Sequence, residues 1–324
     1  MTFHIKAEQS GKTVLSFLKS TLKISASALA KLKRDPIGIM ANGTHVTVRY
    51  VLQENDVLFI HETDSEESSN TAIAPVDLPI RILFENSDVL LVDKPPYMPT
   101  HPSHDHENDT LANAVAFLYS QKQLPFVFRP IGRLDRNTSG ISLLAKNLPA
   151  ASFLFHARQK KLIHKKYIAI VRGRLDSGDD YQVIETYIKR QADSIIVRCV
   201  GTEYEEGAQI AVTHWKTLYA SDEISVVEAI PITGRTHQLR VHFSHLGHPI
   251  LGDDIYGEAS PLIGRHALHA AFLSIPLPYG EKIVEFVSMP PEDMQKAFFD
   301  ITATDLLTIL KNPFNKEKDH HVQE

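Results

Sequence analysis

One stretch of the chain sets a single carboxylate among three guanidinium groups: Arg129-Pro130-Ile131-Gly132-Arg133-Leu134-Asp135-Arg136-Asn137-Thr138-Ser139-Gly140. Gly132 and Gly140 bracket a tight loop, with the strand-like Ile141-Ser142-Leu143-Leu144-Ala145 directly after it. Nearby arginines favour the ionised form of an acid. Thr138 and Ser139 can hydrogen-bond the backbone or the carboxylate. A lone carboxylate in a basic loop suits nucleophilic work on an anionic polymer. On chemistry alone the pattern also fits a solvated turn whose Asp135 pairs with arginine, and that plainer arrangement is the commoner one.

Other groups of reactive residues are less specific. His101, His104 and His106 share a segment with Asp105 and Glu107, and His237, His242, His245 and His248 form a second group. Neither has the His-x-His-x-Asp-His spacing of a metallo-hydrolase, so no metal is expected at either. His242 and His245 fall three apart on an expected helix ended by Gly247. There is no Gly-x-Gly-x-x-Gly and no Walker-type phosphate loop, so no nucleotide cofactor is expected. Cys199 is the one cysteine, which excludes an internal disulfide and a cysteine zinc site.

The elements that must position these residues fall into two units. Residues 1–62 read as a small α+β unit. Val14, Leu15, Leu18 and Leu22 recur at helical spacing, and Ser25 or Ser27 can cap a second helix carrying Lys31, Lys33 and Arg34. Asn42-Gly43 between apolar stretches signals a hairpin, followed by the alternation Val46, Val48, Tyr50 and the closing stretch Asp56-Val57-Leu58-Phe59-Ile60. Residues 63–76, polar and without period at their start, read as a linker. Residues 77–303 form the larger unit. Strands are expected at 80–84, 89–92, 141–145, 167–171, 195–200, 210–215 and 226–232. A helix capped by Asp109 or Thr110 is expected to run to about Gln121. Several strands follow one another without a helix between them, which predicts an α+β fold with a mixed, mainly antiparallel sheet. Residues 304–324 read as a tail, polar from Lys311 onward.

Composition sets further bounds. The chain has 324 residues, 43% of them hydrophobic, with a formal net charge of -5. Any nucleic-acid surface must therefore be local. The span 158–174 supplies one: Arg158, Lys160, Lys161, Lys165, Lys166, Arg172 and Arg174 occur with no acid between them. No apolar run approaches the ~18 residues of a membrane span, and the N-terminus lacks the features of a secretory signal. A cytoplasmic enzyme or RNA-binding protein is the expectation, with a monomer as the default state.

The string Arg133 to Gly140 resembles the signature of the RluA-type pseudouridine synthases, and four more segments match in the family's order. Asp93-Lys94-Pro95-Pro96 with His101-Pro102 and Thr110-Leu111 looks like the upstream motif. Lys165-Lys166-Tyr167-Ile168-Ala169-Ile170-Val171-Arg172-Gly173 is similar to the second. Thr233-Gly234-Arg235-Thr236-His237-Gln238-Leu239-Arg240-Val241-His242, continuing through Asp253, resembles the third, and Arg265 with Leu268-His269-Ala270 a later one. Many relatives carry His where this chain has Gly132. The N-terminal unit resembles the small RNA-binding domain of ribosomal-protein-S-four type, in which Lys31, Lys33 and Arg34 lie where phosphate contacts are expected.

The resemblance implies isomerisation of specific uridines in structured RNA to pseudouridine, without a cofactor, in an extruded-base complex. Ribosomal RNA is the favoured substrate and transfer RNA stays open. It implies Asp135 as the catalytic carboxylate, Tyr167 as the aromatic that stacks on uracil, and Arg240 as the buried arginine paired with Asp135. Arg235 is the competing partner. Arg133 would hold the extruded conformation, Leu239 would wall the uracil pocket, and Lys166, Lys31 and Arg34 would contact RNA. Two rival readings are a catalytically silent RNA-binding protein and a glycoside or base hydrolase. Intact Asp135, Tyr167 and Arg240 speak against the first. The second needs another acid beside Asp135, and none sits in the matched loops.

Overall fold

The computed structural model describes residues 2–22, 24, 26–61, 73–125, 127–278 and 282–315. The expected cap at Ser25, most of the linker and the end of the tail lie outside these residues.

In the N-terminal unit β1 (Thr2–His4), β2 (Ile39–Ala41), β3 (Thr44–His45) and β4 (Val57–Ile60) form an antiparallel sheet in the order β1-β4-β2-β3. The helices α1 (Val14–Ser20) and α2 (Ala26–Arg34) contribute Phe17, Leu18, Leu29 and Leu32 to a core shared with Ile5, Ile39, Leu58 and Ile60. Asn42 and Gly43 both take positive φ, 51° and 78°, the conformation that a two-residue hairpin of primed type requires. The alternation at Val46, Val48 and Tyr50 does not continue as a strand; it bends at Val48 and Arg49. The reason is the start of α1: Val48 and Tyr50 turn their carbonyls to the amides of Leu15 and Val14, at 2.8 and 2.9 Å. Those amides have no partner inside the helix, and Thr13 caps a third, that of Ser16, at 3.2 Å.

The larger unit is built on a ten-stranded sheet. Its members are β5 (Arg81–Glu85), β6 (Val89–Lys94), β7 (Ser139–Ala145), β8 (His164–Arg172), β9 (Gln182–Arg190), β10 (Arg198–Gly201), β11 (Gln209–Ala220), β12 (Ile224–Pro231), β13 (Leu268–Pro276) and β14 (Ile283–Val287). The order is β10-β9-β11-β12-β8-β13-β7-β6-β5, with β14 also on β13. Only β13 and β7 pair in parallel, at His269 with Ser139 and Ala270 with Gly140. The sheet is therefore mixed and mainly antiparallel, as the run of strands implied. Ile168 to Val171, on a central strand buried on both faces, reads as a continuous apolar run, and Val226 to Ala229 is interrupted only by the buried Glu228.

Helices α3 (Leu111–Gln121), α4 (Leu148–Gln159), α5 (Gln238–His245), α6 (Glu292–Thr302) and α7 (Leu306–Asn315) complete the fold. Thr110, not Asp109, caps α3. Residues 306–315 correct the expectation of a tail from 304. Leu306 and Leu310, four apart and so on one helix face, are fully buried in the same core as Met294 and Phe298 of α6. No helix among the described residues is long and apolar enough to cross a membrane.

Three buried histidines tie these elements together. His242 on α5 reaches Thr213 of β11 and Thr186 of β9, at 2.9 and 3.1 Å. His266 contacts Thr138 at 2.9 Å. His269 on β13 donates through Nε2 to the Ser288 carbonyl at 2.9 Å, which leaves Nδ1, 2.9 Å from the Ser139 hydroxyl, as acceptor in a neutral ring. Burial lowers all three, to about 4 for His242, about 3 for His266 and about 4 for His269. In the unfolded chain they take a proton near pH 6.5. Below that value the unfolded state binds more protons than the folded one, so stability is lost as pH falls toward the folded values. Each histidine contributes a slope of up to about 1.4 kcal/mol per pH unit. The urea midpoint is expected to fall steadily from about pH 6.5 to about pH 4; a midpoint that stays flat across that window would contradict this account.

Candidate active site

The loop carrying Asp135 runs into the start of β7, where β7 pairs in parallel with β13, and its backbone is held from several sides. Four consecutive carbonyls have donors. Thr100 Oγ1 donates to Leu134 at 2.9 Å, the Thr138 amide to Asp135 at 3.1 Å, Lys94 Nζ to Arg136 at 3.1 Å, and Arg265 Nη1 to Asn137 at 3.0 Å. Lys94 is fully buried, and its other two protons go to the carbonyls of Pro95 and Met98, both at 2.9 Å. Three acceptors around one nitrogen match an ammonium. Burial, followed by the charge of Arg265, pushes Lys94 down to about 7, while Asp135 and Asp93 act the other way. Arg265, also fully buried, grips Asp293 at the start of α6 through Nε and Nη2, at 2.7 and 2.9 Å. The later motif with Arg265 thus anchors the Asp135 loop to the C-terminal helices.

Asp135 faces a cleft of about 660 Å³. Its walls come from the 132–138 loop, the end of α4, the start of β8, the end of β12, and the 232–237 turn that leads into α5. Among the described residues lining it, Asp135 is the only acid, while Arg133, Arg158, Lys161, Lys165, Arg235 and Arg240 are cationic. Tyr167 and Leu239 supply apolar wall and are buried, with Leu134, in the main core. Burial, then the charge of Asp135, raises the Tyr167 phenol well above its usual value, with Arg158 opposing. The hydroxyl is therefore protonated at neutral pH and available as a donor.

The turn before α5 is shaped by Gln238. Its Oε1 accepts from Thr233 Oγ1 and the Arg235 amide, at 2.7 and 3.0 Å, and its Nε2 donates to the Val212 carbonyl and to Thr213 on β11, at 2.9 and 3.0 Å. His237 enters the helix at a φ of 57° and meets the Tyr256 hydroxyl through Nδ1 at 2.8 Å. One turn on, Phe243 packs edge-on against Trp215, with ring centroids 6.4 Å apart.

The sequence-expected residues mostly converge. Asp135, Tyr167, Arg240, Arg133, Arg235 and Leu239 all line the cleft. The partner expected for Arg240 is different, however. Its Nε and Nη2 bind both oxygens of Asp253, each at 2.7 Å, with both side chains buried. Asp135 acts on Arg240 only as a nearby charge. Asp253 also accepts from the amides of Ile255 and Tyr256 at 3.1 Å. Burial works against its carboxylate, but Arg240 carries it below the usual range. Arg235, the competing candidate, turns Nε to the Ile210 carbonyl at 2.9 Å.

Lys166 also departs from expectation. Side chains on a strand alternate between faces, so Lys165 and Tyr167 enter the cleft and Lys166 points to the other side. It lies 3.8 Å from the buried Glu228 and over the Phe272 ring at 5.1 Å. Lys31 and Arg34 are exposed on α2 and do not line the cleft. Sequence reasoning passed over Gln238, Lys94 and Arg265 as positioning groups. The available signal was a long polar side chain inside each matched motif. Among the described residues no group of three or more His, Cys, Asp or Glu is arranged to hold a metal ion.

Residues 88–245 match the family described as RNA pseudouridylate synthase. Over 85% of this chain and 94% of the relative, the sequence is 38% identical to the uncharacterized RNA pseudouridine synthase YjbO of Bacillus subtilis. It is 35% identical to ribosomal large subunit pseudouridine synthase D of Borreliella burgdorferi over 67% of each chain. Among solved structures, human RNA pseudouridylate synthase domain containing 1 superposes with a TM-score of 0.53 at 31% identity, covering 66% of this chain and 84% of that one.

Removing one partner of a buried ion pair leaves the other charge uncompensated, at a cost of about 3–5 kcal/mol. Asp253→Asn is expected to lose stability on that scale in urea unfolding. A loss below about 1 kcal/mol would show that the Arg240–Asp253 pair does not hold this end of the cleft together.

Proposed function

This chain belongs to the RNA pseudouridylate synthase family, and we propose that it isomerises specific uridines of ribosomal RNA with Asp135 as the catalytic carboxylate. The observation that carries the assignment of Asp135 is its isolation: it is the one acid, beside a protonated Tyr167, among the described residues of a cleft that holds six arginines and lysines. The reaction breaks the bond from uracil N1 to the ribose C1′ and makes one from C5 to the same carbon. The hydrogen on C5 leaves as a proton and N1 gains one, so no electrons enter or leave. A carboxylate that engages the nucleotide and a phenol that can pass a proton suffice for that balance.

The uridine must leave its stack to reach Asp135. Tyr167 and Leu239 offer the apolar surfaces between which a uracil ring fits. Arg133, exposed beside Asp135 at the mouth of the cleft, fits the role of holding the opened RNA. Arg240 acts through Asp253: the pair fixes α5, and with it Leu239, against the loop that follows. For the N-terminal unit we propose RNA binding through the exposed Lys31, Lys33 and Arg34 on α2, whose clustered charge suits phosphate contact. Ribosomal RNA is proposed because a relative covering two thirds of the chain is named for the large ribosomal subunit.

Two variants test the assignment on ribosomal RNA that carries tritium at uracil C5 and lacks its native modification. Making the new carbon bond expels that hydrogen, so the wild type is expected to release tritium to water and Asp135→Asn to release none above background. No release by the wild type would leave the chain as an RNA-binding relative, and full release by Asp135→Asn would exclude this carboxylate. Tyr167→Phe keeps the ring and removes the hydroxyl. A proton-transfer role predicts a fall in kcat of about 100-fold or more with KM little changed; wild-type kcat would reduce Tyr167 to a packing surface.

A further inference from the structure

Two of the cations in the cleft stand together against one glycine, Gly132. Arg240 is matched by Asp253, and Arg235 spends a hydrogen bond on the backbone. Lys166, next in sequence to Lys165, lies beside the acid Glu228. Arg158 and Lys165, like the exposed Arg133 and Lys161, have no ion pair and no side-chain hydrogen bond among the described residues, and no carboxylate contributes to the electrostatics of Lys165. Lys165 is half-buried at the start of β8, and Arg158 closes the last turn of α4. The C-terminal dipole of α4 accounts for one cation at Arg158, but not for a second beside it.

The backbone around the pair is cut back to admit it. A Cβ at Gly132 would stand 3.2 Å from Lys165 Nζ and 4.0 Å from Arg158 Nη1. One at Gly234 would stand 3.0 Å from Arg158 Nη2. Gly132 also has a φ of 126°, which side-chain-bearing residues rarely adopt. A side chain at Gly132 would therefore press on the Lys165 ammonium. Burial, then the charge of Arg158, brings Lys165 down to about 8. Two like charges held together without a carboxylate form a site that an anion would relieve.

We propose that Arg158 and Lys165 form a binding site for a phosphodiester of the nucleotide extruded into the cleft. This rests on the reading of the chain as an RNA pseudouridine synthase. The phosphates are the only anions a uridine in RNA carries. The planar guanidinium of Arg158 can take two phosphate oxygens, and the Lys165 ammonium adds a point charge. The site lies against Gly132, beside Asp135 and on the same strand as Tyr167, so it would fix the sugar–phosphate while the base turns.

The test uses the full chain with unmodified ribosomal RNA. Arg158→Gln, Lys165→Met and the charge-keeping Lys165→Arg are compared with wild type, and with Lys296→Met on the exposed face of α6 as control. RNA affinity is measured across salt concentration, and tritium release gives KM and kcat in parallel. Each charge-removing variant is expected to make the plot of log affinity against log salt shallower by about 0.7–0.9. KM should rise about tenfold, with a smaller change in kcat. Lys165→Arg and Lys296→Met should keep the wild-type slope. Thermal stability should hold or rise, because an unpaired cation is removed; a drop would point to a structural role and overturn the site. Wild-type slope and KM in both Arg158→Gln and Lys165→Met would also overturn it. Salt slopes are read without turnover. Wild type that binds RNA but releases no tritium would therefore sink the synthase reading alone, and wild type that binds no RNA would sink both.

Discussion

Four adjacent carbonyls in one short loop, each needing a donor away from water, are the constraint around which the rest of this fold is arranged. A buried carbonyl left unpaired costs roughly 1–3 kcal/mol, and a loop cannot supply sheet or helix partners of its own. Here three donors come from distant parts of the chain, Thr100, Lys94 at the end of β6 and Arg265 before β13, and the fourth is the loop's own Thr138 amide. With the backbone fixed on one side, the Asp135 side chain is left for the cleft on the other. The anchors are themselves anchored. Arg265 binds Asp293 at the head of α6, so this C-terminal helix bears on the carboxylate.

The cleft shows how a chain with net charge -5 can offer an anion-binding surface. Acids are kept out of the lining except at Asp135, and the deepest cation, Arg240, is neutralised from behind by Asp253. The buried pair holds α5 in place and leaves the field in the cleft to the other cations. Strand alternation separates Lys165 from Lys166 in the same way, sending Lys165 and Tyr167 inward and Lys166 toward Glu228. Neighbouring lysines thereby take opposite roles through a period of two and nothing else.

The histidines illustrate a related economy. His237 and His242 stand in one motif, among histidines whose spacing fits no metal site. In the fold His242 bridges two threonines on two strands, and His237 supports Tyr256. Burial keeps His242, His266 and His269 neutral, and a neutral imidazole, with one donor and one acceptor, can join a helix or strand to two partners at once.

The class of sheet, the Asn42-Gly43 hairpin, a helix cap at Asp109 or Thr110 and the main residues of the cleft were legible in the sequence alone. The first three follow from the local rules of apolar period and turn chemistry; Asp135, Tyr167 and Arg240 follow from the resemblance of their motifs to those of a family. Only the tertiary structure decided which charge meets which. That Arg240 takes Asp253, that Val48 and Tyr50 cap a helix instead of extending a strand, and that Leu306 and Leu310 dock a last helix all depend on groups far apart in sequence. A side chain's type limits the partners it can accept, but the partner it gets is set by which buried donors and acceptors the folded sheet brings within about 3 Å.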